Sequence, residues 1–210
     1  KDETRKKLPK FLHVGCGQKR KEQTTKGFNS SEWEEIRFDI DENVNPDLIG
    51  TILDMKNVES ASVDAIYSSH NIEHVYPHEV GIALKEFVRV LTPEGFVVIT
   101  CPDLQSVCKL VSEDKLLQPA YTSPAGPITP LDILYGHRAA IQRGNYYMAH
   151  KCGFTLNALT GTLRGSGFAS VAGLRRQTHY DLFAIGFKNN ISEEALREAA
   201  IKHFPDHKPS

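Results

Sequence analysis

The sequence lacks a long apolar run and an excess of charge of either sign. No window of its 210 residues approaches the roughly 18 to 20 consecutive apolar residues of a membrane-spanning helix. Its 25 Lys and Arg nearly balance its 26 Asp and Glu, which argues against nucleic acid as the main partner. We therefore expect an ordinary soluble globular protein that has no membrane partner.

Cysteine is scarce and unpaired. The four cysteines show neither a C-x-x-C pair nor a disulfide-like spacing; they are Cys16, Cys101, Cys108 and Cys152. Free thiols in a reducing compartment follow from that pattern. The basic first seven residues have no apolar stretch behind them, unlike a secretory signal. The sequence thus predicts a cytoplasmic protein.

The length suits one domain with a single sizeable core. Residues 1–26 hold nine Lys or Arg against three acids, whereas residues 32–59 hold nine acids against two bases. We expect residues 1–9 to be a solvated basic tail, although a basic arm that touches an anionic group is the alternative. Residues 10–210 would form the domain.

Strand and helix signals alternate along the first half of the chain, which favours a parallel α/β sheet. The predicted strands of that half are 11–14, 36–40, 48–53, 63–68 and 96–100. The clearest helix spans about 77–91, where apolar residues recur on one face. Later signals predict a helix from Thr155 to about Arg164, an antiparallel strand pair at 169–175 and 181–188, and a last helix between Ser192 and Pro205.

Two stretches lack regular signals. Residues 19–35 carry no helical apolar stripe, so any helix there would be short or irregular. Residues 114–150 contain four prolines that we expect to break every regular element, together with several tyrosines, arginines and histidines. Such a segment is either a functional lid or a disordered insertion, and its aromatic and basic residues favour a substrate-side lid.

A glycine-flanked turn follows the first strand, and an acid follows the second. Gly15-Cys16-Gly17 comes directly after the apolar residues 11–14, and Asp39 lies 22 residues beyond Gly17. Glycines let backbone approach a ligand closely, and a carboxylate in that position holds a ribose diol. The pattern predicts a nucleoside cofactor.

Polar residues also follow the other predicted strands. Asp41 follows Asp39, Asp54 ends the third strand, and the fourth and fifth strands are followed by 68–71 and 101–103. Because the carboxyl ends of parallel strands share one edge of a sheet, these positions should gather at one rim. Turn capping is the structural alternative for Asp54 and Asn71.

Together these motifs resemble those of class I S-adenosylmethionine-dependent methyltransferases of the type 11 kind, over roughly residues 10–188. The most specific match is Glu86 to Phe96, which is similar to the family's helix-turn-strand signature, with Glu94 in place of a frequent glycine. The resemblance implies a Rossmann-like, seven-stranded, mostly parallel sheet with helices on both faces and an antiparallel last strand. It also implies S-adenosyl-L-methionine as cofactor.

The resemblance further implies roles for individual residues. Gly15 and Gly17, with Cys16 between them, would pass the amino acid part of the cofactor. Asp39 would accept hydrogen bonds from both ribose hydroxyls, with Asp41 as the competing choice. The other implied cofactor contacts are Asp54 and Met55 at the adenine, and Ser69, His70 and Asn71 under the methionyl portion.

Methyl transfer asks mainly for alignment of the acceptor, although an oxygen acceptor also benefits from a base. Histidine is the natural base near neutral pH. The candidates are His70, His74, His137 and His150, each weighed against a structural role, whereas His13 lies within a strand and suits a core position. His74 and His78 are four residues apart but lack further ligands, so we expect no metal site.

The sequence supports a methyltransferase acting on a small polar acceptor, such as a sugar-like molecule. A dinucleotide-dependent oxidoreductase that uses NAD is the first alternative, but the turn has no third glycine and no clear helix follows it. A non-catalytic binding protein that retains the fold is the second alternative. A protein side chain also stays open as the acceptor.

Overall fold

A computed structural model describes residues 7–206 and builds them around a seven-stranded sheet. Residues 1–6 of the expected basic tail, and residues 207–210, lie outside the described part. The strands are β1 (Lys10–Val14), β2 (Glu34–Asp39), β3 (Leu48–Ile49), β4 (Val63–Ser69), β5 (Leu91–Pro102), β6 (Tyr121–Ser123), β7 (Gly126–Ile128), β8 (Ser170–Arg176) and β9 (Asp181–Phe187).

The main sheet has the order β3-β2-β1-β4-β5-β9-β8, and β6 pairs with β7 in a separate hairpin. The pairs among β1 to β5 are all parallel, while β9 runs antiparallel to both of its neighbours. This topology confirms the predicted fold class, including the antiparallel strand near the end of the chain.

Helices cover the sheet. They are α1 (Val80–Val90), α2 (Leu104–Ser112), α3 (Pro130–Tyr135), α4 (Arg138–Gln142), α5 (Leu156–Gly165) and α6 (Glu193–His203). Among residues 7–206, no helix has the length and apolar character needed to cross a membrane.

The core has two layers, one on each face of the sheet. Alternation along β1 sends Leu12 and Val14 toward α1 and α5, and Phe11 toward the opposite layer. In that opposite layer, Phe11 stacks on Phe28 with ring centroids 4.4 Å apart, and α6 packs against the same cluster. The loop that carries Phe28 therefore fills space that a crossover helix would otherwise occupy.

The segment after β1 contains one short 3-10 turn, Lys21–Gln23, as the missing helical stripe predicted. The third strand is shorter than predicted, because Thr51 and Asp54 face each other across a tight turn instead of extending it. The helix predicted from residue 77 begins at Val80. The helix α2 was missed; Asp103 caps it through a hydrogen bond from the Gln105 N–H.

The prediction that prolines break every regular element of residues 114–150 was wrong. The segment contains the β6–β7 hairpin, α3 and α4. Pro130 occupies the first turn of α3, where its missing N–H costs nothing, and Thr129 caps that helix through a hydrogen bond from the Asp132 N–H. The proline thus starts a helix here.

Candidate functional site

Two neighbouring cavities open at the carboxyl ends of the parallel strands. The first, of about 330 Å³, is lined by the glycine turn, the end of β2 and the loop after β4, and we call it the strand-end cleft. The second, of about 540 Å³, lies under residues 121–150 and the turn between β8 and β9, and we call it the lid cavity. His70, His74 and Met148 line both. A ligand in one cavity would therefore meet a ligand in the other at these side chains.

The glycine turn lies against the loop that follows β4. Gly15 and Gly17 have φ angles of +59° and +53°, a region that L-residues with side chains rarely adopt. A Cβ atom on Gly15 would lie 2.3 Å from Asn71 Oδ1, whereas one on Gly17 would meet nothing within 4 Å. The turn thus needs glycine at position 15 for packing and leaves open space at position 17, on the wall of the cleft.

Cys16 contributes backbone to this turn. Its side chain is buried in the core, and burial raises the pKa of its thiol to about 11. The thiol is therefore neutral near pH 7. All four cysteines are free thiols, as expected.

Asp39 is a buried carboxylate on the wall of the strand-end cleft. Its Oδ2 accepts a hydrogen bond from the Gly17 N–H at 2.8 Å, and its Oδ1 accepts one from the Asp41 N–H at 2.9 Å. Because a carboxylate offers about four lone-pair sites, each oxygen retains one for a ligand. The carboxylate is therefore fixed in place and still able to accept two hydroxyl groups.

Asp41 also lines the cleft but is tied to its own turn. Its Oδ1 accepts hydrogen bonds from the backbone N–H of Asn43 at 2.9 Å and from the Asn43 side-chain amide at 2.8 Å. Asp41 caps the 3-10 turn Glu42–Val44, and it is less buried than Asp39. The geometry favours Asp39 as the rigid ligand-facing acid.

Arg37, next to Asp39 along β2, joins two loops of the cleft. Its guanidinium donates hydrogen bonds to the carbonyl oxygens of Asn45 at 2.6 Å, Lys19 and Val44 at 3.2 Å, and Gly17. The side chain is fully buried. These hydrogen bonds hold the glycine turn to the loop after β2, in the place of a crossover helix.

Asn71 brings an unsatisfied donor to the strand-end cleft. Its side-chain Nδ2 is buried and has no hydrogen-bond partner within residues 7–206. A buried amide without a partner is costly, so such a group points to a ligand acceptor. The Asn71 amide could serve a ligand carboxylate or carbonyl.

Four residues expected at the cofactor lie outside the cleft lining, namely Cys16, Asp54, Met55 and Ser69. Met55 is fully buried in the core, and its backbone N–H donates to Glu86 Oε2 at 2.7 Å. Asp54 is exposed beside Lys56, and the Ser69 hydroxyl pairs with Thr100 Oγ1 at 3.0 Å. The cleft wall near the end of β3 is formed by Thr51, Ile52 and Leu53 instead.

A cluster of one acid and three histidines lies where the cavities meet. The Glu73 side chain is fully buried, with its Oε1 3.5 Å from His70 Nδ1 and 4.0 Å from His150 Nε2. Burial alone would raise the pKa of Glu73, but the neighbouring His70, and to a smaller extent His74 and His150, lower it. The Glu73 carboxyl group thus lies under three histidines.

The imidazoles of His74 and His150 are held by backbone. His74 Nδ1 lies 3.0 Å from the Ala149 carbonyl oxygen, and His150 Nδ1 lies 2.7 Å from that of Ile133. Burial lowers the pKa of His150 despite the opposing charge of Glu73. The short contact with the Ile133 carbonyl oxygen makes Nδ1 the donor, and Nε2 faces Glu73.

Sequence reasoning placed His70, His74 and His150 among the candidates but missed Glu73 as their partner. A Glu-His pair in sequence does not reveal that residue 150 will return beside it. His137 lines the lid cavity, while His13 is buried with its Nδ1 2.7 Å from Glu35 Oε1, as its strand position suggested. The expectation of no metal site considered His74 and His78; the structure instead brings together Glu73, His74 and His150.

Residues 114–150 supply much of the lid cavity. Tyr121 of β6 stacks on Tyr180 with ring centroids 6.2 Å apart and a 17° angle between planes. Asp132 lies on another wall; burial would raise its pKa, but Arg138 and Thr129 hold it well below its usual range. The cavity thus offers aromatic faces, histidines and fixed carboxylates.

Comparison with known proteins matches residues 12–99 to the family model described as a methyltransferase domain. No curated protein matches the chain significantly. A SAM-dependent methyltransferase from Archaeoglobus fulgidus is 15% identical, covers 86% of each chain and has a TM-score of 0.55. One from Thermotoga maritima, described as a possible histamine N-methyltransferase, is 14% identical over 87% of this chain and 83% of its own, with a TM-score of 0.54.

A third similar structure is the 1,6-didemethyltoxoflavin-N1-methyltransferase of Burkholderia thailandensis. It is 14% identical over 87% of this chain and 72% of its own, with a TM-score of 0.55, and it holds 1,6-didemethyltoxoflavin and S-adenosylhomocysteine. At these identities the structures establish the shared fold. The family model adds sequence agreement across β1 to β5, the part of the chain that builds the strand-end cleft.

Proposed function

We propose that this chain, a class I S-adenosylmethionine-dependent methyltransferase by fold and sequence pattern, transfers a methyl group to a small polar acceptor in the lid cavity. The observation that carries the proposal is the meeting of the two cavities at His70 and His74. One cavity has the polar groups of a nucleoside site, and the other has room for a second molecule. Group transfer needs both molecules to meet at one place.

The strand-end cleft suits the cofactor on several grounds. Asp39 would receive the ribose hydroxyls on its two free lone pairs, since the Gly17 and Asp41 amides hold it in place. The unpartnered Asn71 amide, beside Gly15, would donate to the carboxylate of the methionyl part. The apolar side chains of Phe38, Ile52 and Leu53 offer a surface for the adenine.

When bound, S-adenosylmethionine supplies an activated sulfonium methyl group. The chain's own task is to hold the acceptor in line and to exclude water. Tyr147, Met148 and Lys151 line the strand-end cleft, and Met148 also lines the lid cavity. We assign the region 114–150 the role of a substrate-side lid, because it lines both cavities.

Of the three histidines, His70 is the best placed to accept a proton from an acceptor hydroxyl. It is the most exposed of the three and lines both cavities, with the Glu73 carboxylate behind its Nδ1. Both ring nitrogens of His74 lie near carbonyl oxygens, and His150 Nδ1 is engaged by Ile133. We assign His74 and His150 to positioning and His70 to the acceptor.

A sugar-like or similar polar acceptor fits the walls of the lid cavity. The stacked Tyr121 and Tyr180 rings offer faces against which a ring can pack. His137 adds a hydrogen-bonding group on the same cavity. In the similar Burkholderia enzyme, the bound acceptor is a small molecule.

Calorimetric titration tests the proposal against its two alternatives. We expect micromolar binding of S-adenosylmethionine or S-adenosylhomocysteine and no binding of NAD. NAD binding would favour the oxidoreductase. Failure of all three to bind would reject a nucleoside-dependent enzyme and favour a binding protein that only retains the fold.

A further inference from the structure

We propose that Glu73, His74 and His150 bind a divalent first-row transition-metal ion at the edge of the lid cavity. One ligand atom from each of the three residues lies within 4.8 Å of the other two. His74 and His150 also line the lid cavity. The three residues come from two places in the chain, the turn after β4 and the end of the 114–150 segment.

The buried carboxylate is the first ground for the site. Glu73 has 0% exposed surface, and neither of its oxygens has a hydrogen-bond partner among residues 7–206. A fully buried carboxyl group without hydrogen bonds is among the costliest groups in a protein unless a partner such as a cation lies beside it. Its Oε1 faces the His70 and His150 rings at 3.5 and 4.0 Å, distances too long for well-formed hydrogen bonds.

The orientation of the two imidazoles is the second ground. His74 and His150 each direct Nδ1 at a backbone carbonyl oxygen, those of Ala149 and Ile133. Metal-binding histidines commonly donate one ring N–H to such an acceptor, which fixes the ring and presents the other nitrogen. In both residues the presented atom is Nε2.

His74 gives a further reason. Its Nε2 lies 3.1 Å from the His70 carbonyl oxygen, and in the neutral form, which is the form that binds a metal, the ring donates to only one of its two carbonyl neighbours. One lone pair then faces an oxygen atom at short range. A small rotation of the ring onto a cation would replace that contact with a bond and keep the hydrogen bond to Ala149.

The ligand set selects the kind of metal. Two imidazoles and one carboxylate suit Zn²⁺ or Fe²⁺, whereas Mg²⁺ prefers oxygen ligands alone. Three protein ligands leave positions open, and the lid cavity lies beside them. The ion would hold an acceptor oxygen and lower the pKa of that group. This catalytic role rests on the proposed function, whereas binding of the ion does not depend on it.

Chelator-treated protein titrated with Zn²⁺ tests the site. We expect one ion per chain in the wild type, and at least about 100-fold weaker binding in Glu73→Gln and in His150→Gln, since loss of outer partners alone costs 10- to 100-fold. His78→Gln is the control, because His78 is exposed and lies outside the cluster. Its affinity should equal that of the wild type.

Cobalt gives a readout of coordination. Co²⁺ added to the wild type and to His78→Gln should produce visible absorption bands that are absent from Glu73→Gln. Circular dichroism and S-adenosylhomocysteine binding show whether each variant still folds; if Glu73→Gln does not, His150→Gln decides. No stoichiometric Zn²⁺ binding by the wild type, or equal binding by all variants, would overturn the metal site. Absence of nucleoside binding would count against the proposed function alone.

Discussion

The Asp39 carboxylate joins the glycine turn to the end of β2, because one oxygen accepts the Gly17 N–H and the other the Asp41 N–H. Asp41 lies two residues on, and its Oδ1 accepts a hydrogen bond from the Asn43 N–H. The two acids are therefore a matched pair on the same cleft wall. They differ in burial and in what their oxygens already hold.

We expect Asp39→Asn to weaken S-adenosylhomocysteine binding about 30- to 100-fold, since charge-assisted hydrogen bonds contribute about 1.5–3 kcal/mol. Asp41→Asn should change the affinity less than about 3-fold, as a solvated carboxylate loses little on neutralisation. Calorimetry on both variants, with thermal unfolding as a check on folding, measures the difference. Equal losses of affinity would show that the assignment of Asp39 to the ribose is wrong.

Among single residues, sequence reasoning found the cleft-lining groups that follow a strand directly. Gly15, Gly17, Asp39 and Asn71 were all expected at the cleft, and they all line it. Met55 was misplaced because the chain turns tightly after β3, which moves its side chain into the core. The contact between Glu73 and His150 could not be foreseen, since it depends on the path of the long segment between them.

At the scale of elements, the absence of a helix after β1 requires another way to hold the glycine turn. Arg37 supplies it, by donating to carbonyl oxygens on both sides of the cleft. Its own backbone N–H donates to Asp47 Oδ2 at 2.7 Å. The side chain thus ties β2 to the two loops that flank Asp39.

We expect Arg37→Met to lower the free energy of unfolding by about 2–4 kcal/mol, because several buried carbonyl oxygens lose their donors. S-adenosylhomocysteine binding should weaken as well, as the loops that hold Asp39 loosen. Urea unfolding and calorimetry measure the two effects. Lys19→Met is the control, since only the backbone carbonyl of Lys19 meets Arg37. Unchanged stability in Arg37→Met would contradict the role of Arg37 as a clamp.

Most elements with a strong local signal were predicted, and those that depend on tertiary contacts were not. The apolar runs of β1, β4 and β5 and the stripe of α1 are visible in the sequence. The helix α2 was not predicted, because Asp103 was interpreted as a polar residue at the rim of the sheet. In the structure Asp103 caps this helix, and its Oδ2 lies 2.6 Å from Arg175 Nε. The hairpin β6–β7 is too short for its alternation to stand out among prolines.

At the scale of the whole molecule, the last helix meets the loop after β1 on one face of the sheet. His203 of α6 lies 2.7 Å from the Thr25 hydroxyl and packs on the Phe28 ring, with centroids 4.4 Å apart. A Cβ atom on Gly27 would lie 2.3 Å from the His203 ring, so the loop fits closely over it. The last helix therefore covers the aromatic layer to which the loop around Phe28 contributes.

This buried histidine makes stability depend on pH. Burial lowers the pKa of His203 from its usual 6.5 to about 4, so the unfolded chain binds a proton that the folded chain does not. The stability that depends on the neutral His203 ring is fully present above pH 6.5 and is lost as the pH falls toward 4. At about 1.4 kcal/mol for each unit of pKa displacement, it amounts to about 3.5 kcal/mol.

Urea unfolding of the wild type and of His203→Phe at several pH values between 7 and 4 checks this expectation. Between pH 7 and 4 the variant should lose less stability than the wild type. The carboxylates titrate in both proteins, whereas His203 titrates only in the wild type. Parallel curves for the two proteins would show that His203 does not remain neutral in the fold. His203→Phe also loses the contact with Thr25. That loss shifts the free energy of unfolding equally at every pH, so it does not change the slope of stability against pH.

At the scale of the whole molecule, our proposal is that a nucleoside methyl donor lies in the strand-end cleft and points its reactive end at the lid cavity. A crystal structure of the protein with S-adenosylhomocysteine tests it most directly. We expect both ribose hydroxyls on Asp39, the amino acid part beside Gly15 and Asn71, and the sulfur facing His70 and His74, where the cavities meet. A nucleoside bound elsewhere, or one whose sulfur faces away from the lid cavity, would contradict the claim.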